Sequence, residues 1–350
     1  MAARSDMTAG TSSAVAVRMG AAAAALVCLL VTLLFAASVG ETAIPVGVVF
    51  DAVANRLWDA GHAIDRIDQG IVWNYRLSRG VVAACCGSAL AVSGVLLQAL
   101  LRNPLADPFI LGISAGASTG AVAVTILGVG GGLLSLSVGA FGGALLAFGL
   151  ILALAARVGR GTAAIILAGV AGSQLFNALT SFIVAKSASA EQSRGIMFWL
   201  LGNLSGVRWE DVTLALPVVV IGCAVCLWHA RALDAFVFGA DSAAALGVPV
   251  RRVYGVLVAT AALMTAAMVS LVGSIGFVGL VVPHAMRALV GVKHGVLLPA
   301  AALAGAVFLV VADVLSRIVI SGQVLPIGVV TALVGAPAFA LILWRRKAMS

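Results

Sequence analysis

Arg79-Gly-Val-Val-Ala-Ala-Cys-Cys-Gly-Ser-Ala-Leu-Ala-Val-Ser-Gly-Val-Leu-Leu-Gln-Ala-Leu-Leu101, followed by Arg102-Asn-Pro-Leu-Ala-Asp-Pro108, is the stretch from which the fold can be read. No residue between Arg79 and Arg102 carries a charge. A helix needs about 20 mostly apolar residues to cross the bilayer core, and this run meets that length. The two prolines that follow lack backbone donors and disfavour helix just before them, so they close the span with a tight turn.

The same pattern extends outward in both directions. Hydrophobic residues make up 62% of the 350, charged residues 10%, and mean hydropathy is +1.17. A soluble domain carries roughly 25% charged residues to face water, so this composition predicts an all-α, polytopic membrane protein. Apolar runs place ten spans near 18–40, 79–101, 108–128, 132–156, 162–185, 212–229, 252–272, 276–291, 296–317 and 325–344. That gives a tail over 1–17, a transmembrane domain over 18–345 and one sizeable loop at 230–251. Ala36-Ala37-Ser38 resembles a signal-cleavage site, but the first apolar run is longer than a signal core and reads as a retained helix. Two halves of five helices would run oppositely through the membrane, an inverted repeat, although no residue-level repeat is visible.

The 40 glycines fit helices that approach closely in lipid. Gly116 and Gly120, Gly128 and Gly132, and Gly139 and Gly143 have small-xxx-small spacing and read as packing positions. Cys28, Cys85, Cys86, Cys223 and Cys226 all fall in apolar runs. The Cys223–Cys226 spacing has no second pair or His cluster nearby, so these residues read as buried hydrophobes rather than a metal site.

The net charge of +8 lacks the clustering of a nucleic-acid binder and follows topology instead. With both termini and the 230–251 loop in the cytoplasm, that side holds 13 Lys/Arg against four Asp/Glu, and the other side eight of each. The excess of basic residues predicts this orientation. The segments at 41–78 and 186–211 then lie outside, the first as short surface helices suited to docking.

Several enzyme classes are excluded by motif. Gly112-Ile-Ser-Ala-Gly116 matches a nucleophile elbow but opens an apolar helix, without the strand–turn–helix setting that chemistry needs. No HExxH and no GxxxxGK[ST] occurs, so the energy for any active transport comes from another polypeptide. Asp313 and His284 are a thin supply of intramembrane ionisable groups for an ion-coupled carrier. Ser173, Asn177, Thr180 and Ser181 share one helical face. Such a stripe suits either a wetted path for a large polar solute or interhelical hydrogen bonding. Gly273-Ser-Ile-Gly276 before Pro283-His284 signals a break and a short or discontinuous helix.

The run Gly87–Ala117 closely resembles the FecCD-type permeases, the membrane subunits of bacterial ATP-driven importers for ferric siderophores, haem and vitamin B12. Leu167-Ala-Gly-Val170, Phe198-Trp-Leu-Leu-Gly202, Gly273–His284 and Leu325–Pro337 extend the resemblance over about 72–345. It implies a type II importer architecture of ten helices, with two permease copies or close paralogues around a central pathway. Two cytoplasmic ATPase subunits, which bind ATP and magnesium, and an external substrate-binding protein complete the assembly. This chain itself has no catalytic residues and binds no cofactor.

Site residues carry over by position. Arg76-Leu-Ser-Arg79 resembles the family's docking motif for the binding protein, with Ser in place of Pro, and Arg317 matches its third docking arginine. Asp241-Ser-Ala-Ala-Ala245-Leu246-Gly247 resembles the loop that contacts the ATPase. Gly161-Thr162 resembles the cytoplasmic gate, with Gly161 departing from a hydroxyl residue. The leading expectation is an inner-membrane importer of an iron chelate, with vitamin B12 as the alternative. A carrier or channel working without ATPase partners is the reading from a different class.

Overall fold

The computed structural model describes residues 20, 23–40, 42–159, 162–186, 189–320 and 322–347, with backbone alone at 342–343 and 345–347. The expected tail at 1–17 and Gly161 lie outside the described residues. No strand occurs among those described, and the chain is built from helices joined by short turns. In chain order these are α1 (Ala23–Ser38), α2 (Val46–Trp58) and α3 (Arg66–Leu100). Then come α4 (Ile113–Thr125), α5 (Leu136–Val158), α6 (Thr162–Ala185), α7 (Ala190–Leu200) and α8 (Trp209–Trp228). The remainder are α9 (Ala230–Phe236), α10 (Ala240–Ala245), α11 (Val250–Val272), α12 (Val278–Val290), α13 (His294–Ile318) and α14 (Ile327–Lys347).

The opening stretch forms the axis of the bundle. From Ser78 to Leu100 every residue of α3 except Arg79 and Val81 is buried. A helix that is apolar on all sides has no face to give to water and becomes a core helix. Helices α8, α11, α12 and α13 surround it. Its glycines set the closest approaches: a methyl group on Gly87 would strike the Gly305 carbonyl of α13, and one on Gly94 the Gly279 carbonyl of α12. Helices α4 and α5 meet in the same way, Gly116 against Gly143 and Gly120 against Gly139. Gly128 and Gly132 depart from the packing expectation. They sit in the α4–α5 turn at φ +67° and +84°, a conformation in which glycine avoids the Cβ clash.

All ten expected spans contain a helix, but two are half-length. Among the described residues six helices are long and apolar enough to cross a membrane, and four apolar stretches are shorter: α1, α4, α12 and Ile327–Leu341 of α14. Helices α4 and α12 have 13 residues each, about 20 Å at 1.5 Å per residue, against a hydrocarbon core of about 30 Å. Each begins beside the middle of the bundle. The Gly279 carbon of α12 faces the Leu90 carbonyl, and Gly112, the residue before α4, faces the Ile151 and Ser173 side chains. Among the ten spans α4 is the third of the first five and α12 the third of the second five. The two five-span halves thus each carry a short helix at the same place in their order.

Candidate functional site

The expected docking arginines converge on one another. Arg79 lies one turn after Arg76 on α3, and Arg317 lies near the end of α13, yet Arg79 and Arg317 share one carboxylate, while Arg76 turns to the end of α1. Arg79 Nε donates to Asp313 Oδ1 at 2.7 Å, and an Arg317 terminal nitrogen lies 3.2 Å from Asp313 Oδ2. Asp313 is 1% exposed. The other arginine donors are used within the chain. Arg76 donates to the carbonyls of Ala37, Ser38 and Thr42, and Arg317 to those of Ala36 and Val39. These carbonyls lie at and just past the end of α1, where a helix leaves acceptors without intrahelical partners. The cluster thus ties α1 to α3 and α13. The structure buries Arg76 and leaves Arg79 and Arg317 partly buried, with Arg79 Nη1 donating to Ser205 Oγ at 3.2 Å.

Beside them lies an aromatic shelf that the sequence reading missed. Trp73 stacks on Trp209 with centroids 4.9 Å apart, and Trp209 Nε1 donates to the Trp73 carbonyl. The Arg208 guanidinium sits over the Tyr75 ring at 4.4 Å. Amphipathic rings of this kind favour the boundary between lipid and water.

At the opposite end, α9 and α10 form the loop expected to meet an ATPase. Ala243 and Leu233 anchor it in the core, while Leu246 is 71% exposed, and Asp241, Ala245 and Gly247 are exposed as well. Gly239 and Gly247 bracket α10 at φ +104° and +82°, where a side chain would be strained. Asp234 of α9 holds α13 in place: its Oδ1 accepts the His294 backbone N–H at 2.9 Å and lies 2.7 Å from His294 Nδ1. Thr162, the described half of the expected gate, lines a cavity of about 510 Å³ with Arg102, Phe236, Ala240 and Tyr254. The fold therefore brings Thr162 and the first residue of α10, Ala240, to one space.

The polar face of α6 divides. Asn177 and Ser181 are exposed and Ser173 is partly so. Thr180 is buried, with Oγ1 2.9 Å from Thr119 Oγ1 of α4, so it serves interhelical bonding. Ser173 Oγ lies beside Gly112, and two residues on, Ser114 Oγ donates to Ser274 Oγ at 2.8 Å. Small neutral hydroxyls thus collect where the half-length helices begin. Irregular backbone inside a membrane is tolerated where protein buries it or where it lines a cavity. No group of three or more His, Cys, Asp or Glu suited to a metal occurs among the described residues.

Comparison with known proteins gives this geometry a context. The profile of the FecCD transport family matches residues 28–345. The cobalamin import system permease protein BtuC of Halobacterium salinarum is 46% identical over 80% of this chain and 74% of its own length. The vitamin B12 import system permease protein BtuC of Klebsiella pneumoniae is 39% identical over 91% of this chain and 92% of its own. A solved structure described as an inward-facing conformation of a "metal-chelate type ABC transporter" superposes with a TM-score of 0.80 at 28% identity. It covers 93% of this chain and 99% of its own. With helices in the expected order and a family profile running over nearly its whole length, this chain belongs to the FecCD transport family and is a permease of the ABC importer class.

Proposed function

We propose that this permease carries a cobalamin-type corrinoid, with an iron chelate, the leading expectation from sequence, now second. The observation that carries the reading is the similarity, over four-fifths or more of the chain, to permeases named for cobalamin and vitamin B12 import. The likeness to the metal-chelate type transporter is lower in identity, at 28%. A path of small uncharged hydroxyls and amides, with Ser173, Asn177 and Ser181 on α6, suits a large polar solute that must be released as readily as it is held.

On this reading two permease copies enclose the path in an inner membrane, with both termini and α9–α10 in the cytoplasm. ATP and magnesium bind in two ATPase subunits, which press on Leu246 and its neighbours, and Gly161-Thr162 forms the inner gate. An external binding protein docks on the arginine cluster. Two arginines share one aspartate and Arg76 bonds only neutral oxygens, so the group keeps a positive excess for a partner's carboxylates, and such charge mainly speeds and orients encounter. Arg79→Gln then weakens binding of the loaded partner and flattens its salt dependence; unchanged salt dependence removes the docking role.

The decisive experiment is uptake into proteoliposomes holding the permease, its ATPase and its binding protein. Labelled cobalamin should accumulate only with ATP and compete with unlabelled cobalamin but not with haem or a ferric siderophore. Accumulation of an iron chelate without cobalamin uptake restores the iron reading. Uptake without the ATPase points to a carrier of another class.

A further inference from the structure

Beside α9 and α10 lies a second cavity, of about 540 Å³. It is bounded by Gln98, Ala99 and Arg102 at the end of α3, Pro104 in the following turn, and Val237 after α9. The α12 residues His284, Arg287 and Ala288, with Val292 and His294, complete it. Two arginines and two histidines face this space, and none of its described lining residues is acidic.

Two features show that the cations are placed rather than merely present. Gln98 is 4% exposed and donates through Nε2 to the Gly279 carbonyl at 3.0 Å. That bond fixes the amide so that Oε1 accepts from Arg287 Nη1, which sets the guanidinium at the cavity wall. Arg102 has φ +49°, a conformation that non-glycine residues adopt only at a cost. Its guanidinium lies against Gly239, where a methyl group would come within 3.3 Å. Arg102 is exposed and borders both this cavity and the one lined by Thr162.

The rim is apolar. Val237 and Val292, both exposed, border the cavity beside the cations. A guanidinium oriented by Gln98, a second at Arg102 and exposed apolar side chains beside them match an amphiphile bearing a phosphate: arginine forks bind phosphate oxygens in bidentate fashion, and the apolar side chains accept acyl chains. Basic pockets between transmembrane helices are recurrent headgroup sites. We propose that this cavity binds the headgroup of an anionic phospholipid, with Arg102 and Arg287 as its phosphate ligands. The site steadies the joint between α3, α12 and the coupling helices, and it does not depend on which cargo the transporter carries.

The test uses the full-length chain purified in detergent and examined by native mass spectrometry during titration with phosphatidylglycerol, phosphatidylcholine or inorganic phosphate. The wild type should retain phosphatidylglycerol at least tenfold better than phosphatidylcholine. The Arg102→Gln/Arg287→Gln variant should lose that preference. Ala288→Trp, which fills the cavity from an exposed position without removing charge, should lose it too, and this keeps the test valid if the double variant folds poorly. Equal retention of the two lipids, or an unchanged preference in Ala288→Trp, overturns the proposal. Binding of inorganic phosphate with no lipid retained also overturns it, by assigning the cavity to a free anion.

Discussion

The two ends of the bundle handle charge in opposite ways. At the arginine end, Arg76, Arg79, Arg317 and Asp313 are drawn into the protein, and Arg76 and Arg317 hold the carbonyls that end α1. At the coupling end, apolar side chains are pushed out: Trp228 is 86% exposed, Phe238 73% and Leu246 71%. The first end satisfies its polar groups within one chain, as buried charges must. The second leaves apolar surface uncovered beside charged residues, the signature of an interface awaiting a partner. In its charge pairing the first end is complete within this chain, and the second leaves apolar side chains exposed.

Three measurements bear on that contrast. The largest effect is expected at the complete end. Asp313→Ala leaves Arg79 and Arg317 side by side without their carboxylate, and losing one partner of a buried pair costs about 3–5 kcal/mol. The purified variant should melt far below the wild type or fail to accumulate. A variant that melts like the wild type would mean that the cluster holds nothing together. At the incomplete end, Leu246→Asp should leave melting almost unchanged, since exposed substitutions usually fall within about 0.5 kcal/mol. It should instead weaken co-purification of the ATPase about tenfold or more. Normal association would take Leu246 out of the interface and break the comparison. The smallest effect falls on the link between α9 and α13. Asp234→Ala removes the acceptor for the His294 backbone N–H, a capping loss of about 1 kcal/mol. ATP hydrolysis should continue while uptake per ATP falls; an unchanged ratio would show that this cap is structural only.

Much of the fold was legible because a bilayer leaves helical backbone few alternatives. The uncharged run after Arg79, the Asn103–Pro108 turn and the break at Gly273–Gly276 all lie where the sequence puts them. Gly112–Gly116 opens a helix as expected. Gly128 and Gly132 were misread because small-xxx-small spacing is the same in a helix and in a glycine-rich turn, and only φ tells them apart. The short α12 was signalled by the break at Gly273–Gly276 before Pro283-His284, whereas the half-length of α4 was not legible, since apolarity marks what avoids water but not how deep a chain turns back. At the site, the i,i+4 spacing of Asp313 and Arg317 was readable along one helix. The partnership of Arg79 with Asp313 spans 234 residues and leaves no local trace.

Sequence by itself determined that this chain spans a membrane as a helical bundle, about where each helix lies, and which family it resembles. Those properties follow from transfer of side chains and backbone out of water, which depends on local composition. Tertiary structure alone decided that the arginines face inward, that Thr180 bonds to α4 while Asn177 and Ser181 stay exposed, and that Arg102 and Arg287 share a cavity. Each of these depends on which helices lie side by side, and that is fixed by close packing of glycine faces far apart in the chain, as at Gly87 with Gly305 and Gly94 with Gly279.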